Sequence, residues 1–179
     1  DARLSSSVQQ NALAALVENI LSFNRLDKGR WQRREAEVAL GELEPLLREE
    51  AARYPAARVE LSFTGFEGAV LRADPELVQL LFLNLLRNAC KYNSRDPVEI
   101  RFECEGSTLR VSDNGVGIPP AEQEVVFVEF HRLPGPRGRG GAGSGLGLAL
   151  ARRILRLHHG SIAVEHSSPE GTTFVLHFG

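Results

Sequence analysis

LVQLLFLNLLRNACKYN, residues Leu77 to Asn93, has the composition of a core helix and carries polar residues where a core helix has none. At 100° per residue, Leu77, Leu81, Asn84, Asn88, Lys91 and Tyr92 fall in one stripe, while Leu80, Phe82, Leu83, Leu85, Leu86 and Ala89 cover most of the remaining circumference. A helix so apolar all round is buried. Two carboxamides and an ammonium on its side then need partners, because an unsatisfied buried amide costs roughly 1–3 kcal/mol. Two readings supply them. Backbone groups of an adjacent loop could satisfy Asn84 and Asn88 while Lys91 reaches solvent. Alternatively the stripe faces a ligand with phosphates and a metal, since Asn oxygens suit Mg²⁺ and Lys offers a point charge to phosphate.

Outward from this helix the elements read in order. Asp74-Pro75-Glu76 starts it, with Asp74 as N-cap and Pro75 in the first helical position. Before it, residues 59–63 and 69–73 are short alternating strands about a glycine-containing turn, residues 39–54 form an amphipathic helix, and residues 31–38 a polar connector. After it, Val98 to Glu105 alternates cleanly, and Gly106-Ser107 turns it into a second strand, Thr108 to Asp113. Period two places Asp113 on the face of Leu109 and Val111, and Asn114-Gly115-Val116-Gly117 follows at once. An inward carboxylate there either caps the turn's own amides or accepts from an exocyclic amino group, with glycines letting the backbone approach a flat ring. Residues 119–126 form a short helix, with Phe127 and Phe130 behind it as apolar anchors. Residues 131–145, HRLPGPRGRGGAGSG, exclude regular structure, and their glycine-rich end opens an apolar-periodic helix over 146–158, a ready anion site. Two strands, 161–166 and 172–178, close the chain.

This order predicts an α+β fold, a two-layer sandwich of one mixed, mainly antiparallel sheet covered on one face by helices. A bundle-type helix precedes it over residues 4–28, with a seam at Leu13, Leu16, Ile20 and Phe23 and further apolar residues at Val8, Val17, Leu21 and Leu26. The stripe is too wide for one neighbour, so the helix packs in a bundle with other elements or a second copy, or docks on the domain. The expected division is therefore a helical segment at 1–30 and a domain at 31–179.

The charge balance, 21 basic against 23 acidic residues, advertises neither nucleic acid nor a membrane surface. Cys90 and Cys104 read as small core hydrophobes of a reducing compartment, and no apolar run reaches 18 residues. The absence of Met is what a segment excised from a longer protein would show. A Walker A loop is missing, Leu148 stands where a third Rossmann glycine belongs, and His131-Arg132-Leu133 is not a kinase H-R-D loop.

Five stretches together resemble one known family. Asn84 to Tyr92, Asp113 to Ile118, Val126 to Leu133, Gly143 to Leu148 and Glu170 to Phe174 resemble its N, G1, F, G2 and G3 boxes. These mark the ATP-binding domain shared by sensor histidine kinases, gyrase, the ninety-kilodalton heat-shock chaperone and the MutL repair proteins. The likeness covers about residues 35–179, and residues 4–30 further resemble the second dimerisation helix and exit segment of a bacterial sensor histidine kinase.

The resemblance implies ATP and Mg²⁺ as cofactors, with Asn88 at the metal and Asp113 on the adenine amino group. It implies Lys91 at phosphate, Tyr92 beside the base, Gly115 and Gly117 shaping the adenine pocket, and Gly143, Gly145 and Gly147 cradling phosphates. Phe127 and Phe130 would anchor a lid, Arg132 would contact phosphate, and Thr172 or Thr173 would support Asp113 through water. Asn84, Ile118, Ser144, Leu146 and Leu148 complete the implied nucleotide contacts, and Glu129, where the family often has Pro, implies a difference in the lid. Hydrolysing members carry a general-base Glu where this chain has Asn84, and a carboxamide cannot take a proton usefully at neutral pH, so transfer to another nucleophile is favoured over water. Histidine kinases use a His on the first dimerisation helix, and none of His131, His158, His159, His166 or His177 has that setting.

The implied partners are a second copy through helix 4–28, a phospho-acceptor helix and a cognate response regulator, with no nucleic acid and no direct membrane contact. The implied location is cytoplasmic, within a parent that could be membrane-anchored. A non-catalytic nucleotide-binding or dimerisation module and an anti-sigma-type serine kinase are the alternatives.

Overall fold

The computed structural model describes residues 2–54, 57–131 and 145–179. Helix α1 (Ala2–Asp27) leads into strand β1 (Ala36–Ala39), a 3₁₀ turn (Leu40–Glu42) and helix α2 (Leu43–Ala51). Strands β2 (Val59–Thr64) and β3 (Val70–Ala73) precede helix α3 (Pro75–Lys91), and the hairpin β4 (Val98–Glu105) and β5 (Thr108–Asp113) follows it. Two 3₁₀ turns (Pro120–Glu122 and Val125–Phe127), helix α4 (Gly147–Leu157) and the hairpin β6 (Ser161–Ser168) and β7 (Gly171–His177) complete the described chain.

The main sheet has five strands in the order β2-β4-β5-β7-β6, antiparallel except for the parallel pair β2 and β4. Its helix-facing side is built by period two: Val98, Ile100 and Phe102 of β4 and Leu109 and Val111 of β5 are buried. Charged pairs such as Arg110 and Glu165, 2.8 Å apart, occupy the opposite side. The α+β architecture with helices on one face is thus present.

The single sheet is corrected to two. Strands β2 and β3 do not pair with each other; β3 joins β1 in a separate two-stranded ladder, Ala36 opposite Ala73. The loop between them drops Phe66 into the core, where it meets the rings of Phe63, Phe82 and Phe102 at centroid distances of 5.4 to 6.2 Å. Burying that ring carries the chain from one sheet to the other, which a simple turn would not do. The segment expected as a helix after Pro119 is also corrected, to two 3₁₀ turns.

Helix α3 forms as its sequence dictates. Asp74 caps it, its Oδ1 accepting from the Glu76 and Leu77 amides at 3.1 and 3.3 Å, with Pro75 in the first turn. Leu77, Leu81, Phe82 and Leu86 are wholly inaccessible, and each such side chain contributes about 1.5–3 kcal/mol by burial. The other Asp74 oxygen accepts from Trp31 Nε1 at 3.1 Å and the Arg34 amide at 3.0 Å, tying the segment after α1 to the start of α3. His158, at the end of α4, accepts the Asp74 amide on Nε2 at 3.0 Å, while its Nδ1 lies 2.8 Å from the Ile154 carbonyl. Those contacts require the neutral ring with its proton on Nδ1.

Helix α1 docks on the domain by one face. Asn19 and Phe23 are buried, and Arg153 of α4 pairs with Asp27 and lies over the Phe23 ring. The expected seam is therefore split: Phe23 faces the domain, Ile20 joins Val17 and Leu21 on an exposed outer side, and Leu13, largely exposed, lies at the rim of the cavity described below. Cys90 and Cys104 are free, and no described helix is long and apolar enough to cross a membrane.

Candidate nucleotide-binding site

The polar stripe of α3, the turn after β5, the start of α4 and the beginning of β7 surround one cavity of about 610 Å³. That volume is within the usual range for ligand sites. Asn84, Asn88, Lys91 and Tyr92 line it from α3, and Asp113, Gly117 and Ile118 from the turn. Gly145, Gly147 and Leu148 contribute from the start of α4 and Thr172 from β7.

The turn is pinned to the end of α3. Asn93 donates to Asn114 Oδ1 at 2.7 Å, and the Val116 amide reaches the Tyr92 carbonyl at 3.5 Å. The Gly115 amide donates to Asp113 Oδ1 at 2.8 Å, so the carboxylate caps its own turn, and it also lines the cavity. Burial pushes its carboxyl up to about 6, against the downward pull of hydrogen bonds from the Gly115 and Thr172 amides. With about four lone-pair sites, the carboxylate keeps acceptor capacity for a ligand. Gly117 adopts φ +79°, and any side chain there would overlap the Ser168 carbonyl. The backbone therefore reaches the cavity wall in a form only glycine takes easily.

Of the two threonines, Thr172 stands opposite Asp113 in the β5–β7 register and faces the cavity. Its hydroxyl is 3.0 Å from Ser167 Oγ, which accepts the Ile118 amide at 2.7 Å. Thr173 points to the other side, 2.9 Å from Ser112 Oγ. Lys91 Nζ lies 5.8 Å from the Tyr92 ring centroid. Among the described residues no group of three or more His, Cys, Asp and Glu side chains is placed to hold a metal ion. A cation here would take one carboxamide oxygen and draw its other ligands from phosphate and water, the habit of Mg²⁺.

Not every expected residue reaches the cavity. Phe127 is buried and packs edge-on to Phe174 at 6.1 Å. Phe130 is 66% exposed, with φ +60°, its amide donating to the Gly145 carbonyl at 3.1 Å while the side chain turns outward. Leu146 is buried under α4, Gly115 is buried in the turn, and Arg132, Gly143 and Ser144 lie outside the described residues.

Other residues line the wall that the sequence did not assign to it. Asn19 of α1 meets Asn84 carboxamide to carboxamide, at 2.7 and 3.2 Å, and it sits in a stripe that reads as a helix seam. His131 Nε2 is 2.7 Å from Glu122 Oε2 at one edge. At another, Arg87 donates to Glu50 at 2.9 Å beside Tyr54 and Cys90, whose thiol burial pushes up to about 12. That thiol is protonated at neutral pH and inert.

Residues 73–179 match the family model for the histidine kinase-, DNA gyrase B- and HSP90-like ATPases. The signal transduction histidine-protein kinase ArlS of Staphylococcus aureus is 29% identical over 111 residues, which are 60% of this chain and 25% of that protein. The chain thus spans about a quarter of the length of the curated relatives it matches. The mycobacterial sensor histidine kinase MprB superposes with a TM-score of 0.65 at 27% identity, over 80% of this chain and 97% of that one. The Acinetobacter baumannii histidine kinase AdeS, at 19% identity and a TM-score of 0.70, covers 96% of this chain and 80% of its own and shares the fold. The chain belongs to the histidine kinase-, DNA gyrase B- and HSP90-like ATPase family, and within it is an ATP-binding catalytic domain of the histidine kinase type.

Proposed function

We propose that the cavity takes Mg-ATP, with the adenine amino group on Asp113 and the phosphates toward Asn88, Lys91 and the start of α4. The observation that carries this is one cavity joining a half-buried carboxylate on a glycine turn to the Asn/Lys stripe of α3. Asn88 and bound phosphate would hold the metal, which when bound neutralises charge developing on the transferring group. Lys91 adds a fixed positive charge, and the backbone amides opening α4 suit an anion.

In the whole protein the γ-phosphoryl group passes to a histidine on a dimerisation helix. The bond from phosphorus to the bridging oxygen breaks, a bond to imidazole nitrogen forms, ADP leaves with the electron pair, and the ring gives up its proton. Asn84 supports transfer over hydrolysis, because its carboxamide does not activate water. A homodimer through α1 is supported by the exposed side chains of Leu13, Val17, Ile20 and Leu21. A response regulator then receives the phosphoryl group.

Nucleotide titration with and without Mg²⁺ tests the site. Asp113→Asn loses tenfold or more in affinity in both conditions, whereas Asn88→Ala loses affinity chiefly when Mg²⁺ is present. Unchanged affinity in both variants removes the proposed site. Incorporation of phosphate into a separately supplied acceptor helix, and none into the 179-residue chain itself, tests the direction of transfer.

A further inference from the structure

The middle of α1 lies over the cavity. Gln9, Ala12, Ala15 and Leu16 line it from above, opposite the stripe of α3. Polar contacts hold the helix there: Asn19 with Asn84, Glu18 with Arg87 at 3.7 Å, and Asp27 with Arg153.

The Asn19–Asn84 pair is unlike an ordinary surface contact. The two residues are 65 positions apart, both are buried, and each carboxamide donates to the other's oxygen. Asn84 also donates to the Leu80 carbonyl at 2.9 Å, so both hydrogens of its amide are committed. Arg87 Nη1 is buried with no hydrogen bond, and Glu18 supplies the nearby charge that offsets it. The pair also has a defined place along the cavity. A Cβ added to Gly147 would lie 3.2 Å from Asn84 Oδ1, so the pair sits where α4 opens.

We propose that α1 is a reversible cover over the phosphate end of the site, latched by the Asn19–Asn84 carboxamide pair. This rests on the reading of the cavity as an ATP site. With α1 docked, a helix stands where an incoming acceptor must approach, and Asn19 and Leu80 between them engage both amide hydrogens of Asn84. Transfer then requires α1 to leave this position, and nucleotide binding and α1 docking oppose each other.

The test uses the full chain, a ribose-labelled fluorescent ATP analogue with Mg²⁺, and hydrogen exchange of α1. Asn19→Ala and the double variant Asn19→Ala, Asp27→Ala are expected to speed exchange over residues 8–26 and to bind the analogue about three- to tenfold more tightly than wild type. In the unsubstituted chain, saturating nucleotide is expected to speed exchange in α1 while slowing it in residues 113–118. Unchanged or weaker binding by the variants, or slower α1 exchange with nucleotide, overturns the cover while leaving the ATP site standing. Absence of binding by wild type and variants alike overturns the ATP reading and the cover with it.

Discussion

At the scale of single residues, Asp113 is where binding and stability conflict. Its carboxyl is raised to about 6 by burial. The folded state therefore holds a proton more tightly than the unfolded chain, and ionisation above that value destabilises the fold. The cost is absent below about pH 4 and fully present above about pH 6, and amounts to at most about 3 kcal/mol. Asp113→Asn removes the cost and with it the anionic acceptor. The variant should melt higher than wild type at pH 8 without ligand, yet bind nucleotide far more weakly. For the wild type, affinity should fall as pH drops through 6, a trend that titrations from pH 5 to pH 8 would reveal and that Asp113→Asn should flatten.

At the scale of elements, the start of α3 is the most heavily tied point. Burial pushes the Asp74 carboxyl up, but hydrogen bonds from Arg34, Trp31, Leu77 and Glu76 together hold it below the usual carboxylate value. Its stabilisation is present above pH 4 and lost as acid protonates it. Asp74→Ala loses the helix cap and both tethers to the segment after α1, and should lower the unfolding free energy by about 2–3 kcal/mol in urea. His158 acts in the same place with the opposite charge type. Burial lowers its pKa, so its contribution is present above about pH 6.5 and fades as pH falls. Between pH 7 and pH 5 this loss opposes the relief at Asp113. In the Asp113→Asn variant the loss stands alone, and stability should decline over that range.

For the whole molecule, ligand linkage gives a direct readout. Mg-ATP at about a hundred times its dissociation constant should add about 2.7 kcal/mol, a rise of about 5–10 °C in melting temperature for a domain of this size. At the same nucleotide concentration, a tenfold loss of affinity in Asp113→Asn should cut that rise to about half, and a larger loss should cut it further.

Local patterns made much of this fold readable in advance. The capped α3, the hairpin of β4 and β5 and the inward Asp113 all follow from short-range periodicity. What escaped depends on partners far along the chain. The parallel pairing of β2 with β4 and the transfer of β3 to another ladder rest on Phe66 packing. Thr172 is separated from Thr173 only by its register against Asp113. Phe130 faces outward because Gly145 captures its backbone, and Asn19 acquires meaning only beside Asn84.

The chain contains one tryptophan, Trp31, hydrogen-bonded to Asp74 and lying 4.3 Å below the Arg25 guanidinium of α1. Both neighbours belong to the joint between α1 and the domain, so the indole is a built-in optical gauge of that joint. Displacing α1 would remove the overlying cation and alter the indole's emission without any label being attached. Stopped-flow mixing with nucleotide could then time the movement of the helix separately from the filling of the site.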